Sequence, residues 1–339
     1  MTAIFTVRAN SSRLSNWRKC WLLLFIQATF LVGQPGHLWA EESPFEARPP
    51  VLLVVPDKDA PYSGFLDGFS RCNESLDKEP SIYRVMTIDQ VVAELPVFDS
   101  HRVVGVGTTA TEFLYGHPDT PRFSSALVPA IPVDRLLAED ADHRSGGIDT
   151  VFVLDQPIKR RLALIRSLLP KASTLSVVFG PDSALREEEL RREAKGYDFA
   201  LKVATVESGN ELPPAMKALL SNSDALLLLY DPVLTSSSSI RFLLYSAYQS
   251  RVPVVGYSEG YVRAGAIAAA HSSPEALGCQ VAEHFLQQTL SGPTSPVQTR
   301  PAFIDPSYYQ YRLNETVAQS LGVTTDRVPP GNPVPEGER

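Results

Sequence analysis

Gly256-Tyr257-Ser258-Glu259-Gly260 has the residue types and spacing of a serine nucleophile on a tight turn, the G-x-S-x-G pattern of hydrolases. Such a serine needs a strand before it, a helix after it, and then an acid and a histidine in that order along the chain. The strand is available at 252–255. After Gly260 the chain reads as a short turn and a further apolar strand at 266–270 rather than one long helix. Downstream of Ser258 stand two histidines, His271 and His284. The acid ahead of His271 is Glu259, beside the serine itself. Ahead of His284 it is Glu275, nine residues earlier on the same expected helix, or the adjacent Glu283. Neither choice puts acid and base on separate strand-end loops. A serine hydrolase using Ser258 is therefore a remote alternative, no catalytic residue is expected, and Ser258 and Glu259 read as cleft-lining or hinge residues. No Cys-x-x-Cys, His-Glu-x-x-His or comparable spacing occurs, so neither a metal nor a cofactor is expected.

Other residues have the chemistry to hold a ligand without transforming it. In open parallel sheets, ligands sit beyond the C-terminal ends of the strands, where helix N-termini offer unpaired N–H groups. That rule selects 56–63, with Asp57 and Tyr62. It also selects Gly107-Thr108-Thr109, where the glycine permits a tight turn and either threonine could cap the helix. The latter lacks the lysine of a phosphate loop. Later in the chain the rule selects 180–183, Tyr230-Asp231-Pro232 and Tyr257-Ser258-Glu259. Asp231 either faces a ligand or simply starts the turn before Pro232. Gln156 lies at an expected helix start, and Tyr62, Tyr257 and Tyr261 could supply apolar walls with polar tips.

Positioning these residues requires an α/β scaffold. Short apolar runs at Val51–Val55, 82–86, Arg102–Val106, 126–131, 150–154, 175–179, 201–206, 225–229 and 252–255 alternate with helical patterns. In the helix at 62–72, for example, Phe65, Leu66, Phe69 and Cys72 share one face. Such alternation implies parallel sheets covered by helices on both faces. Ten or so strands exceed one small sheet, so two doubly wound lobes are expected, with a boundary near the polar stretch 140–147.

The ends read differently. Arg8, Arg13, Arg18 and Lys19 precede an apolar run at 21–32, and Leu38-Trp39-Ala40 offers a cleavage site, so residues 1–40 are expected to be a signal peptide for export to the periplasm. A retained anchor is the alternative. Cys20 precedes the apolar run and is not placed as a lipoprotein cysteine. Cleavage after Ala40 would leave 299 of 339 residues and, by removing four positive charges, take the formal net charge from −7 to −11. An acidic chain without a basic cluster argues against nucleic acid or an anionic membrane as partner. Residues 324–339 are proline-rich and expected to be disordered.

Residues 253–266 read Pro-Val-Val-Gly-Tyr-Ser-Glu-Gly-Tyr-Val-Arg-Ala-Gly-Ala, a helix is expected at 273–290, and residues 311–323 read Tyr-Arg-Leu-Asn-Glu-Thr-Val-Ala-Gln-Ser-Leu-Gly-Val. These stretches resemble the periplasmic substrate-binding proteins of ABC transporters, with the strand-loop-strand GxSxxYVxAGA and the ending NxxxAxxLGL. The turn at 107–111 resembles the GTxAT ligand turn of the same family. The resemblance implies a type I periplasmic binding fold that does no chemistry. The lobes would be 49–140 plus 263–298 and 141–262 plus 299–323, with the return crossing near 261–266. It brings the helices carrying Cys72 and Cys279 into one lobe, where a disulfide could form. It implies closure on a small polar ligand, amino-acid-like in one form, held between Thr108 and Thr109 on one side and Asp231, Tyr257 and Ser258 on the other. Asp231 would meet an ammonium and the turn after Gly107 a carboxylate. The implied partner is an inner-membrane ABC permease or, alternatively, a sensor or receptor protein, with the membrane approached only through that partner. The charged loop 56–61 and the serine run 236–239 depart from the family pattern, so ligand identity does not carry over.

Overall fold

Val51–Val55 (β1) is buried along its whole length, as expected of a strand with helices on both faces. It lies in a computed structural model that describes residues 49–75, 80–94, 98, 101–139, 147–291 and 300–334. The expected signal at 1–40 is outside the described residues. β1 is joined in one parallel sheet by Tyr83–Thr87 (β2), Arg102–Val106 (β3), Phe123–Val128 (β4), Ile148–Val153 (β5) and Ala302–Ile304 (β11), in the order β11-β5-β4-β3-β1-β2. A second sheet is built from Thr174–Phe179 (β6), Ala200–Thr205 (β7), Ala225–Leu227 (β8), Val254–Gly256 (β9), Ala268–His271 (β10) and Gln310–Leu313 (β12). Its order is β12-β10-β9-β8-β6-β7, parallel throughout except for β12 against β10.

Each sheet is sandwiched between helices. On the first, Tyr62–Ser75 (α1) and Pro274–Ser291 (α10) cover one face, while Ile88–Ala93 (α2), Thr108–Gly116 (α3) and Ala130–Glu139 (α4) cover the other. On the second, Ile158–Leu168 (α5), Glu187–Lys195 (α6) and Glu315–Leu321 (α11) oppose Leu212–Leu220 (α7), Ser237–Gln249 (α8) and Glu259–Ala264 (α9). This is the two-lobed, doubly wound α/β architecture expected.

The chain passes between the sheets three times, at 154–157, at 272–273 and at 305–309. The first passage comes after β5, not in the polar stretch before it, and the return comes after β10 rather than at 261–266. The short strand β11, read as part of the second lobe, belongs to the first sheet. The reason is that a strand's side is set by the neighbour it pairs with: Ser125 of β4 pairs with Val151, and Ala268 of β10 pairs with Val255 of β9. The proline-rich end also differs from expectation. Up to residue 334 it lies on the third passage, with Tyr309 N donating to Asn332 O at 2.7 Å and Asn332 Nδ2 donating to Ser307 O at 2.8 Å. Val328 and Val334 pack on the cores of the second and first lobes respectively. Prolines do not prevent such packing when a few side chains and carbonyls supply the hydrogen bonds. Residues 335–339 are outside the described set.

α1 and α10 meet at unusually close range. A Cβ at Gly278 would fall on the carbonyl oxygen of Phe65, and one at Gly68 on the backbone of Glu275. The next residues along this seam, Cys72 and Cys279, form a disulfide with a Cα separation of 5.1 Å across 207 residues of sequence.

Candidate functional site

The C-terminal ends of the first-sheet strands carry the first group of expected residues. Gly107 has φ +89°, a value that favours glycine, and it leaves room for Tyr62: a Cβ there would lie 2.6 Å from Tyr62 Cε1. Burial, then the charge of Asp57, pushes the Tyr62 phenol up. Asp57 itself is exposed and accepts from Asp59 N at 2.9 Å. Thr108 is half-buried and Thr109 exposed, and neither caps α3; the N-cap position is Gly107, which has no side chain to do so. The threonine whose hydroxyl is used is Thr111, which donates to Gly107 O at 2.9 Å and lies 2.5 Å from Ser125 Oγ.

The second-lobe group divides in two. Asp231 is fully buried, and both carboxylate oxygens are engaged: Oδ1 accepts from Val233 N at 2.9 Å and Oδ2 from Ser183 N at 2.8 Å. A Cβ at Gly180 would strike this carboxylate, so the glycine allows the two loops to close on each other. The structure thus uses Asp231 to tie strand ends β6 and β8 together. Tyr257 lies between Tyr230, met edge-on, and Tyr261, met at a tilt, with ring centroids 5.9 and 4.7 Å away. Burial foremost, then Tyr261, pushes the Tyr257 phenol far above its ordinary value. Glu259 pairs with Arg263 at 3.2 Å and lies 3.7 Å from Arg312 on β12.

Ser258 occupies the N-cap position of α9 with no side-chain cap bond. The segment after Ser258 is therefore a six-residue helix leading to β10, where the sequence reads as a turn alone. His284 is on the other lobe, packed edge-on to Phe152 at 4.9 Å and hydrogen-bonded to Gln288. Among the described residues no hydrogen bond joins Ser258 to a histidine.

Between the lobes lies a cavity of about 330 Å³. The first lobe contributes Ala130, Ile131 and Asp134; the second contributes Arg161, Arg186, Glu189, Leu229 and Tyr230; Asp155, Gln156 and Asp305 come from the passages between them. Of the expected site residues, Gln156 lines this cavity. It also knots the hinge: its Nε2 donates to Ser272 Oγ at 2.9 Å, and Ser272 Oγ donates to Tyr308 O at 2.5 Å, so one chain of bonds spans all three passages. Arg160 braces the knot through Gln156 Oε1 at 2.5 Å and Pro306 O at 3.0 Å, stacked 3.7 Å from the Tyr309 ring centre. Two ion pairs cross the cleft, Arg186 to Asp134 at 2.9 Å and Arg135 to Asp182 at 3.2 Å.

Asp155 and Arg161 were not among the expected residues. Asp155 Oδ2 accepts from Ala130 N at 2.7 Å, holding the start of α4, while Oδ1 lies 3.7 Å from an Arg161 nitrogen. Burial pulls the Arg161 guanidinium down from its ordinary value, against the opposing pull of Asp155 and Tyr257. A signal for it exists in the sequence. Ile158, Leu162 and Ile165 mark the buried stripe of α5, and Arg161 falls within that stripe, where an arginine needs a reason.

Residues 83–328 match the ABC transporter substrate binding protein family. The chain belongs to this family. Its members are binding proteins rather than enzymes, and they work outside the cytoplasm. A curated relative, the tyrosine-binding protein of Clostridioides difficile (strain R20291), is 26% identical over 225 residues. That match takes in 65% of this chain and 63% of the relative, so it spans less than two thirds of the relative's length. Among solved structures, the ligand-free, open form of a substrate binding protein with adhesive properties from Clostridium difficile aligns with a TM-score of 0.61 at 17% identity, covering 82% of this chain and 97% of that one. The ABC domain in complex with L-Trp from Streptococcus pneumonia aligns with a TM-score of 0.53 at 21% identity, covering 81% and 95%. At these identities the likeness is one of fold: two α/β lobes.

Proposed function

We propose that this protein is exported to the periplasm through residues 1–40, closes its lobes on an amino-acid-like ligand, and delivers it to an inner-membrane ABC permease. The observation that carries this reading is the interlobe cavity, which both lobes wall and which the passages at 154–157 and 305–309 border, so that a hinge motion changes its size directly. Its lining mixes carboxylates and guanidinium groups with Leu229, Tyr230 and Ile131, chemistry suited to a small zwitterion with an apolar side chain. The ligands of the two relatives, tyrosine and tryptophan, are of this class.

A thermal-shift screen tests the reading, using protein purified after expression of the full chain and washed free of co-purified ligand. The panel holds the twenty amino acids, their matched amines, sugars and nucleosides. A ligand at 100 times its Kd adds about 2.7 kcal/mol to the folded state, an increase of roughly several degrees in Tm. Shifts confined to amino acids, aromatic ones foremost, are expected. Shifts confined to sugars or nucleosides would refute the amino-acid reading.

A further inference from the structure

Arg161 is 3% exposed and lines the interlobe cavity. A guanidinium has five N–H donors in a rigid planar fork and stays charged in proteins. Here Nε has no hydrogen-bond partner, and the carboxylate beside it, Asp155, stands at 3.7 Å, beyond hydrogen-bond length. Asp155 is already committed through its other oxygen to the N–H of Ala130. A buried charge left this incompletely paired is costly, and a polar cavity beside it is where the missing acceptor would enter. The contrast with Arg160 next door is direct: that side chain is bonded twice and stacked on Tyr309.

We propose that Arg161 anchors the carboxylate of the ligand, as a bidentate fork at the floor of the interlobe cavity. The inference rests on the reading of that cavity as the ligand site. The surrounding charges narrow the ligand further. Asp134, Asp155, Glu189 and Asp305 border the cavity against Arg161 and Arg186. That excess of carboxylates repels a phosphate dianion and favours a molecule that carries an ammonium as well as a single carboxylate. Fork geometry suits a planar carboxylate. An α-amino acid meets both requirements, with its ammonium toward the carboxylates and its side chain toward Tyr230.

The test removes the proposed contact from either side. Calorimetry would compare L-tryptophan, tryptamine, which lacks the carboxylate, and indole-3-propionate, which lacks the amine, on the wild-type protein and on Arg161→Met and Arg161→Lys. In the wild type, loss of the carboxylate is expected to weaken binding by about 100-fold, the scale of a truncated buried charge pair. In Arg161→Met that difference should collapse to less than about threefold, because the partner is already gone. A merely structural arginine would not produce this collapse. Arg161→Lys should restore part of the difference. If Arg161→Met does not fold, the ligand-side comparison still decides: tryptamine bound as tightly as tryptophan by the wild type overturns the proposal. Amino-acid binding with an undiminished carboxylate effect in Arg161→Met overturns it too, while leaving the amino-acid reading intact. Arg161-dependent binding of indole-3-propionate without binding of any amino acid supports the anchor and refutes that reading. Binding confined to ligands without an anionic group refutes both.

Discussion

The α1–α10 seam and the interlobe cleft are both buried, yet they are held by opposite chemistry. The seam is apolar and covalent. Gly68 and Gly278 let two helices touch backbone to backbone, Cys72 and Cys279 bond across them, and Phe65, Phe69 and Val281 fill the surroundings. The cleft is lined with charge, and the segments that cross it are joined by side-chain hydrogen bonds through Gln156, Ser272 and Arg160. A close-packed seam has one good arrangement and resists displacement. Hydrogen bonds and ion pairs can be exchanged for others, with water or with a ligand, at small net change in free energy. The fold is therefore fixed along the seam and free to move across the cleft.

The largest expected effect comes from removing the disulfide between Cys72 and Cys279. Closing a loop of 207 residues is worth about 5 kcal/mol in the chain-entropy account, a drop of roughly 10 °C in Tm on its removal. Cys72→Ser with Cys279→Ser should therefore lower the melting midpoint steeply while leaving ligand affinity, measured well below the transition, unchanged. A large loss of affinity at full foldedness would mean that the seam also tunes the cleft.

Asp231 is the next test, because it follows the cavity residue Tyr230 in the chain but is buried and fully hydrogen-bonded. Asp231→Asn replaces one acceptor facing a backbone N–H by a donor, and should cost about 2 kcal/mol of stability. Ligand affinity should stay within about threefold, as calorimetry would record. Lost affinity without lost stability would instead return Asp231 to the role of ammonium partner.

The smallest effect concerns pH. His284, on α10 against Phe152, has its pKa lowered by burial first and by the nearby Arg102 charge second. The folded state binds a proton at His284 less readily than the unfolded chain, whose imidazole titrates near pH 6.5. Its contribution is therefore present above about pH 6.5 and is lost as pH falls through that value toward the depressed one. Urea midpoints should fall modestly between pH 7.5 and 5.5, and His284→Phe should flatten part of the slope. An unchanged slope would show that the seam tolerates the charge.

Much of the architecture was legible along the chain. The alternation of β-rich runs with helical stripes announced parallel sheets covered on both sides, and the runs at 253–266 and 311–323 carried the family resemblance. The site was less legible. Of the expected site residues Gln156 lines the interlobe cavity, and the threonine that is bonded at the first-lobe turn is Thr111 rather than Thr108 or Thr109. β11 and β12 escaped notice because three- and four-residue edge strands carry little periodicity. Arg161 did have a mark, an arginine inside an apolar stripe.

Local properties follow from the order of residues alone: which faces are apolar, where strands end, which glycines permit a tight approach, and which cysteines are available to bond. Which of the two charges buried among the described residues is satisfied depends on the fold. Asp231 meets the N–H of Ser183, 48 residues away, and is thereby completed, whereas Arg161 meets a carboxylate already given to Ala130. Burial follows from the pattern of neighbours along the chain, but a hydrogen-bond partner is chosen by the fold, and a charge whose donors the fold leaves unpaired is free to meet a ligand.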